Sequence, residues 1–294
     1  IVFGEDVGRK GGVYGVTRGL QKRFGADRVF DTLLDEQSVL GMALGSALNG
    51  RLPIPEIQYL AYLHNAEDQI RGEAATLTFF SQGQFQNPMV IRIAAYGYQR
   101  GFGGHFHNDN SIAVLRDIPG LTIASPSHPS DAAGMLHSCV EHARATGAVS
   151  VFLEPIARYH DSSLLDDADG GWLSSYDPTP IPVGTARTWP SAAQTDHLTI
   201  LTWGNGVHLS RRAQHELLSH GIGAAVLVGL TATSAPALAV DGWLLRGAFE
   251  AGGDKFGQVE FTGGRSESIR AGDGFAIEGG YRSGFIGPAF QSDL

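Results

Sequence analysis

Val29-Phe30-Asp31-Thr32-Leu33-Leu34-Asp35-Glu36-Gln37, read together with Glu56-Ile57-Gln58-Tyr59 further on, decides how this chain is built. Val29-Phe30 is an apolar, strand-like run. Gln37 to Leu48 has helical periodicity and stops at Asn49-Gly50, and Ile54 to Ile57 is apolar again. Strand, helix and strand in succession, with apolar strands, predict a parallel sheet covered on both faces. The alternation extends to either side. Val2-Phe3, Met89 to Ile93, Leu121 to Ala124 and Val149 to Leu153 read as strands, and Ala61 to Thr76 and Ser130 to Ala143 as helices. Gly41 and Gly45 share one face of the first helix and predict close packing against another helix. Glu36, at the strand-to-helix junction, has two readings. A carboxylate among apolar neighbours loses hydration, so its pKa should rise unless a partner shares its proton. An exposed glutamate in a first helical turn would merely be favoured by the helix dipole.

Bulk composition narrows the classes. The chain has 294 residues, 43% hydrophobic and 17% charged, enough for one large or two ordinary α/β domains with full cores. Lys+Arg 21 against Asp+Glu 30 leaves a net charge of −9. An acidic chain without a basic run argues against a nucleic-acid or anionic-membrane surface. No apolar run reaches the length of about 18 residues that spans a bilayer. The one cysteine, Cys139, rules out an internal disulfide framework and suits a reducing compartment; its apolar helical setting reads as an inert core thiol. The opening Ile1-Val2-Phe3 reads as a strand already in progress and carries no initiator Met, so a piece of a longer polypeptide is expected.

Residues 1–160 form the first expected domain. Residues 161–195, with an acidic cluster at Asp166 to Asp169 and four prolines between Pro178 and Pro190, read as a linker. That cluster lacks the alternate spacing of a calcium loop. A second, smaller α/β domain is expected over 196–294. It opens with a strand at His197 to Gly204, a helix at Val207 to Ser219 and a strand at Ile222 to Val228. After about Gly229 the periodicity weakens and glycine dominates. His105 and His107 suggest no third ligand, so no metal site is expected in this chain.

Several phrases recur in a shared order and spacing: Gly4-Glu5-Asp6-Val7-Gly8, Gly11-Gly12-Val13-Tyr14, Thr17-Arg18-Gly19-Leu20, Arg28-Val29-Phe30-Asp31-Thr32, Glu56-Ile57-Gln58-Tyr59 and Ser81-Gln82-Gly83-Gln84-Phe85. Ile118-Pro119-Gly120-Leu121 and Phe152-Leu153-Glu154-Pro155 complete the set. Through them the chain resembles the β subunit of thiamine-diphosphate-dependent 2-oxo acid dehydrogenases, in the transketolase-like superfamily. The resemblance is strong over residues 3–160 and moderate over 197–228. It implies a pyrimidine-binding domain followed by a transketolase C-terminal domain that diverges after about residue 229. It also implies decarboxylation of a 2-oxo acid on thiamine diphosphate, and transfer of the acyl group to lipoamide.

The same resemblance carries residue roles. Glu36 matches the acid that activates the pyrimidine ring, Leu34 the bulky residue that bends the cofactor, and Gln58 and Tyr62 the positions beside the ring. His107 matches the histidine that handles protons near the substrate, although Asn108-Asp109 replaces the usual Ser-Gln after it. Gly272-Asp273-Gly274 copies the start of a magnesium motif without its later asparagine. The diphosphate and Mg²⁺ would therefore be held by an α-type subunit or a fused upstream segment. The implied partners are that half, a lipoyl-bearing acyltransferase and a second copy of the chain, in the cytoplasm or, in a eukaryote, the mitochondrial matrix. Two alternatives stand beside this reading: another transketolase-like thiamine enzyme, and a non-catalytic paralogue acting as a scaffold.

Overall fold

The computed structural model describes residues 1–97 and 103–229, and beyond them the strands within 231–278 given below. The chain runs through β1 (Val2–Gly4), α1 (Leu20–Phe24), β2 (Val29–Asp31), α2 (Glu36–Leu48), β3 (Ile54–Ile57) and α3 (Leu77–Phe80). It continues with β4 (Met89–Ala95), α4 (Gly104–His107), α5 (Ile112–Arg116), β5 (Leu121–Ala124), α6 (Pro129–Thr146) and β6 (Val149–Pro155). Then come β7 (Ala186–Trp189), β8 (Leu198–Thr202), α7 (Gly206–Ser219), β9 (Ala224–Gly229) and β10 (Thr231–Ala232). Strands β11 (Leu244–Ala248), β12 (Gln258–Phe261), β13 (Ile269–Ala271) and β14 (Phe275–Glu278) complete it. Two compact units result: residues 1–163, 168–185 and 230–234, and residues 164–167, 186–229 and 235–294.

The first unit holds a sheet in the order β10-β5-β6-β4-β3-β1-β2. All pairings are parallel except that of β10 on β5 at the edge. Every residue of β4 and β6 is buried, as the near-continuous apolar runs require of strands covered on both faces. The register places Phe3 opposite Phe30, and their rings stack with centroids 5.1 Å apart. Helix α2 turns Val39, Leu40, Ala43 and Ala47 onto the core. Gly41 and Gly45 lie on the other side, where a Cβ would meet nothing within 4 Å. The helix contact expected of these glycines is therefore not made by the described residues; the bulkier stripe won the core.

The single helix expected at Ala61 to Thr76 is also corrected. It splits into a 3₁₀ helix at Leu60–Ala66, a π-helix at Gln69–Ala74 and α3. Leu60, Leu63 and Ala66 are all buried, a spacing of three that a 3₁₀ helix keeps in one row. Eclipsing at i and i+3 puts Tyr62 and Asn65 together in another row.

Residues 161–195 contain more structure than a bare connection. Trp172 is buried in the first unit, and its ring meets His128 edge-on at 4.8 Å. His128 caps α6, its Nδ1 accepting from the Ser130 amide at 3.2 Å. The Thr179 carbonyl lies so close to α6 that a Cβ at Gly134 would collide with it. Cys139, buried in α6, has its thiol pushed up to about 11 by burial. The second unit's sheet runs β13-β14-β12-β11-β8-β9-β7, with β8, α7 and β9 forming a parallel strand-helix-strand unit. β7 adds antiparallel to β9, and the guanidiniums of Arg187 and Arg211 lie over the Trp189 ring at 4.5 and 5.5 Å. Gly272-Asp273-Gly274 falls outside the described residues. No helix among the described residues is long and apolar enough to cross a membrane.

Candidate functional site

In the first sheet β1 lies between β2 and β3, so the chain leaves β1 in one direction and returns across it in the other. The carboxyl ends of strands at such a switch point open a crevice. A cleft of about 410 Å³ occupies this place, lined by Glu5, Leu34, Glu36, Gln58, Ala61, Tyr62 and Asn65. Glu5 follows β1, Leu34 and Glu36 follow β2, and the rest follow β3. A narrower recess continues to Leu33, Val39 and Glu56. Four residues named from the sequence, Leu34, Glu36, Gln58 and Tyr62, thus come from separate segments to one cavity.

Glu36 is the first residue of α2, after an extended Asp35. It is half-buried, and Asn65 Nδ2 donates to its Oε2 at 2.8 Å. Its carboxylate meets an amide donor here rather than the apolar surroundings read from the sequence. Glu5 shares the cleft; burial first, then the charges of Asp6 and Glu36, raise its pKa. Leu34 is 70% exposed and forms an apolar rim, not a piece of core. Gln58 donates from Nε2 to Asp6 Oδ2 at 3.0 Å, and Lys10 Nζ donates to the same oxygen at 2.9 Å.

Tyr62 and His107 meet directly. His107 Nδ1 is 3.2 Å from the Gly103 carbonyl, so a proton assigned to Nδ1 leaves Nε2 to accept from the Tyr62 hydroxyl at 3.1 Å. Tyr59 meets the imidazole edge-on at 5.2 Å. Burial raises the pKa of both phenols, that of Tyr59 to about 12, so both stay protonated near neutrality. For Tyr62 the charges of Glu5 and Glu36 add to this, which keeps it a donor to His107. Gly103 has φ 74, and a Cβ there would strike His107, so the turn into α4 requires glycine.

Behind the cleft, Arg92 on β4 bridges two acids on adjacent strands. Its Nε and Nη2 donate to the two oxygens of Glu154 at 2.7 and 2.9 Å, and Nη1 donates to Glu56 Oε2 at 2.9 Å. Burial alone would lower the pKa of Arg92, but Glu154 and Glu56 outweigh it and keep the group charged. Glu56 goes the other way: burial raises its pKa despite Arg92. The Tyr159 hydroxyl donates to Glu154 Oε2 at 2.5 Å, closing the network.

The sequence phrases do not single out Glu5 or Asn65 as site residues. Glu5 had an available signal, a charged residue directly after a parallel strand. Asn65 had one in its position three residues after Tyr62, within a segment whose apolar residues recur every three.

Comparison with known proteins bears on the family. The family model for the transketolase pyrimidine binding domain matches residues 1–159. The 2-oxoisovalerate dehydrogenase subunit beta of Pseudomonas aeruginosa is 35% identical over 231 residues, covering 74% of this chain and 61% of that one. The 3-methyl-2-oxobutanoate dehydrogenase subunit beta of Mycobacterium tuberculosis is 37% identical over 206 residues, covering 70% and 54%. The pyruvate dehydrogenase E1 component subunit beta of Bacillus subtilis is 37% identical over 232 residues, covering 77% and 65%. The chain thus spans less than two thirds of the length of each of these relatives. A solved structure described as a split gene transketolase, inactive beta4 tetramer, superposes with a TM-score of 0.52 at 17% identity, covering 78% of this chain and 64% of that one, and bears on the fold alone. Fold, strand-end cleft and matched residues together place this chain in the transketolase pyrimidine-binding domain family.

Proposed function

We propose that this chain is the β-type portion of a thiamine-diphosphate-dependent 2-oxo acid dehydrogenase, active with a diphosphate-binding half and passing its acyl group to a lipoyl-bearing partner. The observation that carries the reading is the Glu36 carboxyl, held at the start of α2 by Asn65 in a cleft shared with Glu5, Gln58 and Tyr62. A flat heteroaromatic ring with an acceptor nitrogen and an amino donor fits this set of acids and amides. Among the described residues, no basic side chain lines the cleft and no group of His, Cys, Asp or Glu is placed to hold a metal. On this reading the diphosphate and its Mg²⁺ are held by the other half, an α-type subunit or a fused segment, in an assembly that contains a second copy of this chain.

Bound thiamine diphosphate supplies a nucleophilic carbon that adds to the 2-oxo group and lets CO₂ leave. This chain's residues supply the rest. Glu36 holds a proton against the ring nitrogen and takes it back, its carboxyl kept in place by the Asn65 amide. Leu34 presents an apolar edge that excludes water from one side, and Gln58 and Tyr62 orient the ring. His107, aligned by Tyr62 and Gly103, moves protons near the substrate.

The test is 2-oxo acid decarboxylation with an artificial electron acceptor, by the complete protein containing this chain and its diphosphate-binding half. It is run with Mg²⁺ and thiamine diphosphate on pyruvate and branched-chain oxo acids, beside Glu36→Gln. Loss of turnover in the folded variant is expected, because the exchange keeps the shape and removes the proton. Equal activity would reject the role of Glu36, whereas a complex that neither turns over nor binds the cofactor would favour the scaffold reading.

A further inference from the structure

The loop that carries His107 is tied to the 3₁₀ helix Leu60–Ala66 at a second point that the cleft chemistry does not use. His64 Nε2 lies 3.3 Å from Asp109 Oδ2, two residues beyond His107. His64 and Asp109 face each other across the same gap that Tyr62 and His107 span.

We propose that His64 is a positioning residue: through Asp109 it fixes the loop 103–111 and so sets how the His107 imidazole meets the Tyr62 hydroxyl. The proposal rests on the reading of His107 given above. The bond from Tyr62 to His107 and the bond from His64 to Asp109 join the loop to one helix at two points, and two points on a rigid support fix its orientation as well as its distance. The helix is rigid at this point because Leu60, Leu63 and Ala66 are buried beneath it. α4, which carries His107, is 4 residues long.

Asp109 is suited to transmit the constraint. Its Oδ1 accepts from the Ser111 amide at 2.5 Å while Oδ2 faces His64, so one carboxylate joins the loop backbone to the helix. Burial pushes its pKa up, but the bonds from Ser111 and His64 outweigh this and hold it ionised. Glu67 is the other charged group facing His64, 4.0 Å from Nδ1. With the imidazole neutral, a proton on Nε2 still donates to Asp109, so the tie holds in either charge state.

The experiment compares the complete protein with His64→Ala, His64→Gln and, as a control on α7, His220→Ala. Amide hydrogen exchange of the peptide spanning 103–111 is measured beside the rates of decarboxylation and of lipoyl acylation. Exchange about fivefold faster is expected in His64→Ala, as befits a lost hydrogen bond to a charged group at a partly exposed site. The loss of rate should fall more on acylation than on decarboxylation. Gln places an amide donor near the Nε2 position, so His64→Gln should restore both readouts. His220→Ala should leave them at the wild-type values. Unchanged exchange in His64→Ala overturns the proposal, as does faster exchange with no change in the partition between the two steps. Should the wild-type complex prove inactive, the reading of His107 falls, while the exchange comparison still decides whether His64 holds the loop.

Discussion

Replacing Arg92 by Met should cost the first unit much of its stability, and the cost should grow with pH. Arg92, Glu56 and Glu154 have side chains 8%, 5% and 10% exposed, so water cannot take over from the missing guanidinium. Removing one member of such a buried ionic group costs about 3–5 kcal/mol, because the remaining charges are stranded. At about 2–4 °C per kcal/mol for a unit of this size, Tm should fall by about 6–20 °C. The pH dependence follows from the acids. Burial already raises the pKa of Glu56 with Arg92 in place, and without the guanidinium it should rise further. A folded state with a carboxyl whose pKa is raised binds its proton more tightly than the unfolded chain. Its stability is then greatest at low pH and is lost as pH rises past the ordinary carboxylate range. Thermal unfolding of Arg92→Met beside wild type between pH 5 and pH 8 should therefore show a gap that widens toward pH 8. Arg92→Lys, which keeps the charge and loses the two-pronged bond to Glu154, should fall between them. A gap that stays constant with pH, or no fall in Tm, would refute the reasoning.

Three further outcomes can be checked. His107→Ala should slow lipoyl acylation more than decarboxylation, as read from the two half-reactions; the reverse pattern would reject its proposed role. Asn65→Asp removes the amide donor 2.8 Å from Glu36 and sets a carboxylate in its place, and decarboxylation should fall about tenfold, as befits a lost hydrogen bond to a charged group; an unchanged rate would deny that Asn65 positions Glu36. Gly45→Ala fills open space on α2, and the chain by itself should gain about 0.5–1 kcal/mol in denaturant unfolding. Size-exclusion chromatography of the complete protein, run in parallel, should show weaker assembly if a second copy packs on that glycine face.

Much of the first sheet is legible in the sequence because its strands are buried on both sides. Met89 to Ile93 and Val149 to Leu153 are apolar without interruption apart from Arg92 and Ser150, and a run of that kind has few other places to go. Arg92 is the exception that carried information. A charge in the middle of a buried strand needs partners, and Glu56 and Glu154 sit on the neighbouring strands. The Ala61 to Thr76 segment was harder. Its three-residue spacing at Leu60, Leu63 and Ala66 mimics one turn of an α-helix, and the difference from a 3.6-residue period is too small to see over seven residues. In α2 the Gly41–Gly45 spacing signals a close approach without saying to what; among the described residues no group fills it. Leu34, Glu36, Gln58 and Tyr62 could be named from local phrases. Glu5, Asn65, His64 and Asp109 depend on which strand ends and loops meet, and no single stretch of sequence states that.

Trp172 gives this chain an internal optical reporter. It is 1% exposed and rests against the His128 ring, whereas Trp203 is 48% exposed. An indole shielded from water emits at shorter wavelength than one in contact with it, and a protonated imidazole at van der Waals range quenches its emission. In a variant that keeps Trp172 and Trp203 and carries Trp189→Phe and Trp243→Phe, blue-edge fluorescence should therefore follow the cap of α6 and the segment laid over it, while the red edge follows the surroundings of Trp203 in the second unit. A titration or melt followed at both wavelengths can time the loosening of each unit without an added dye.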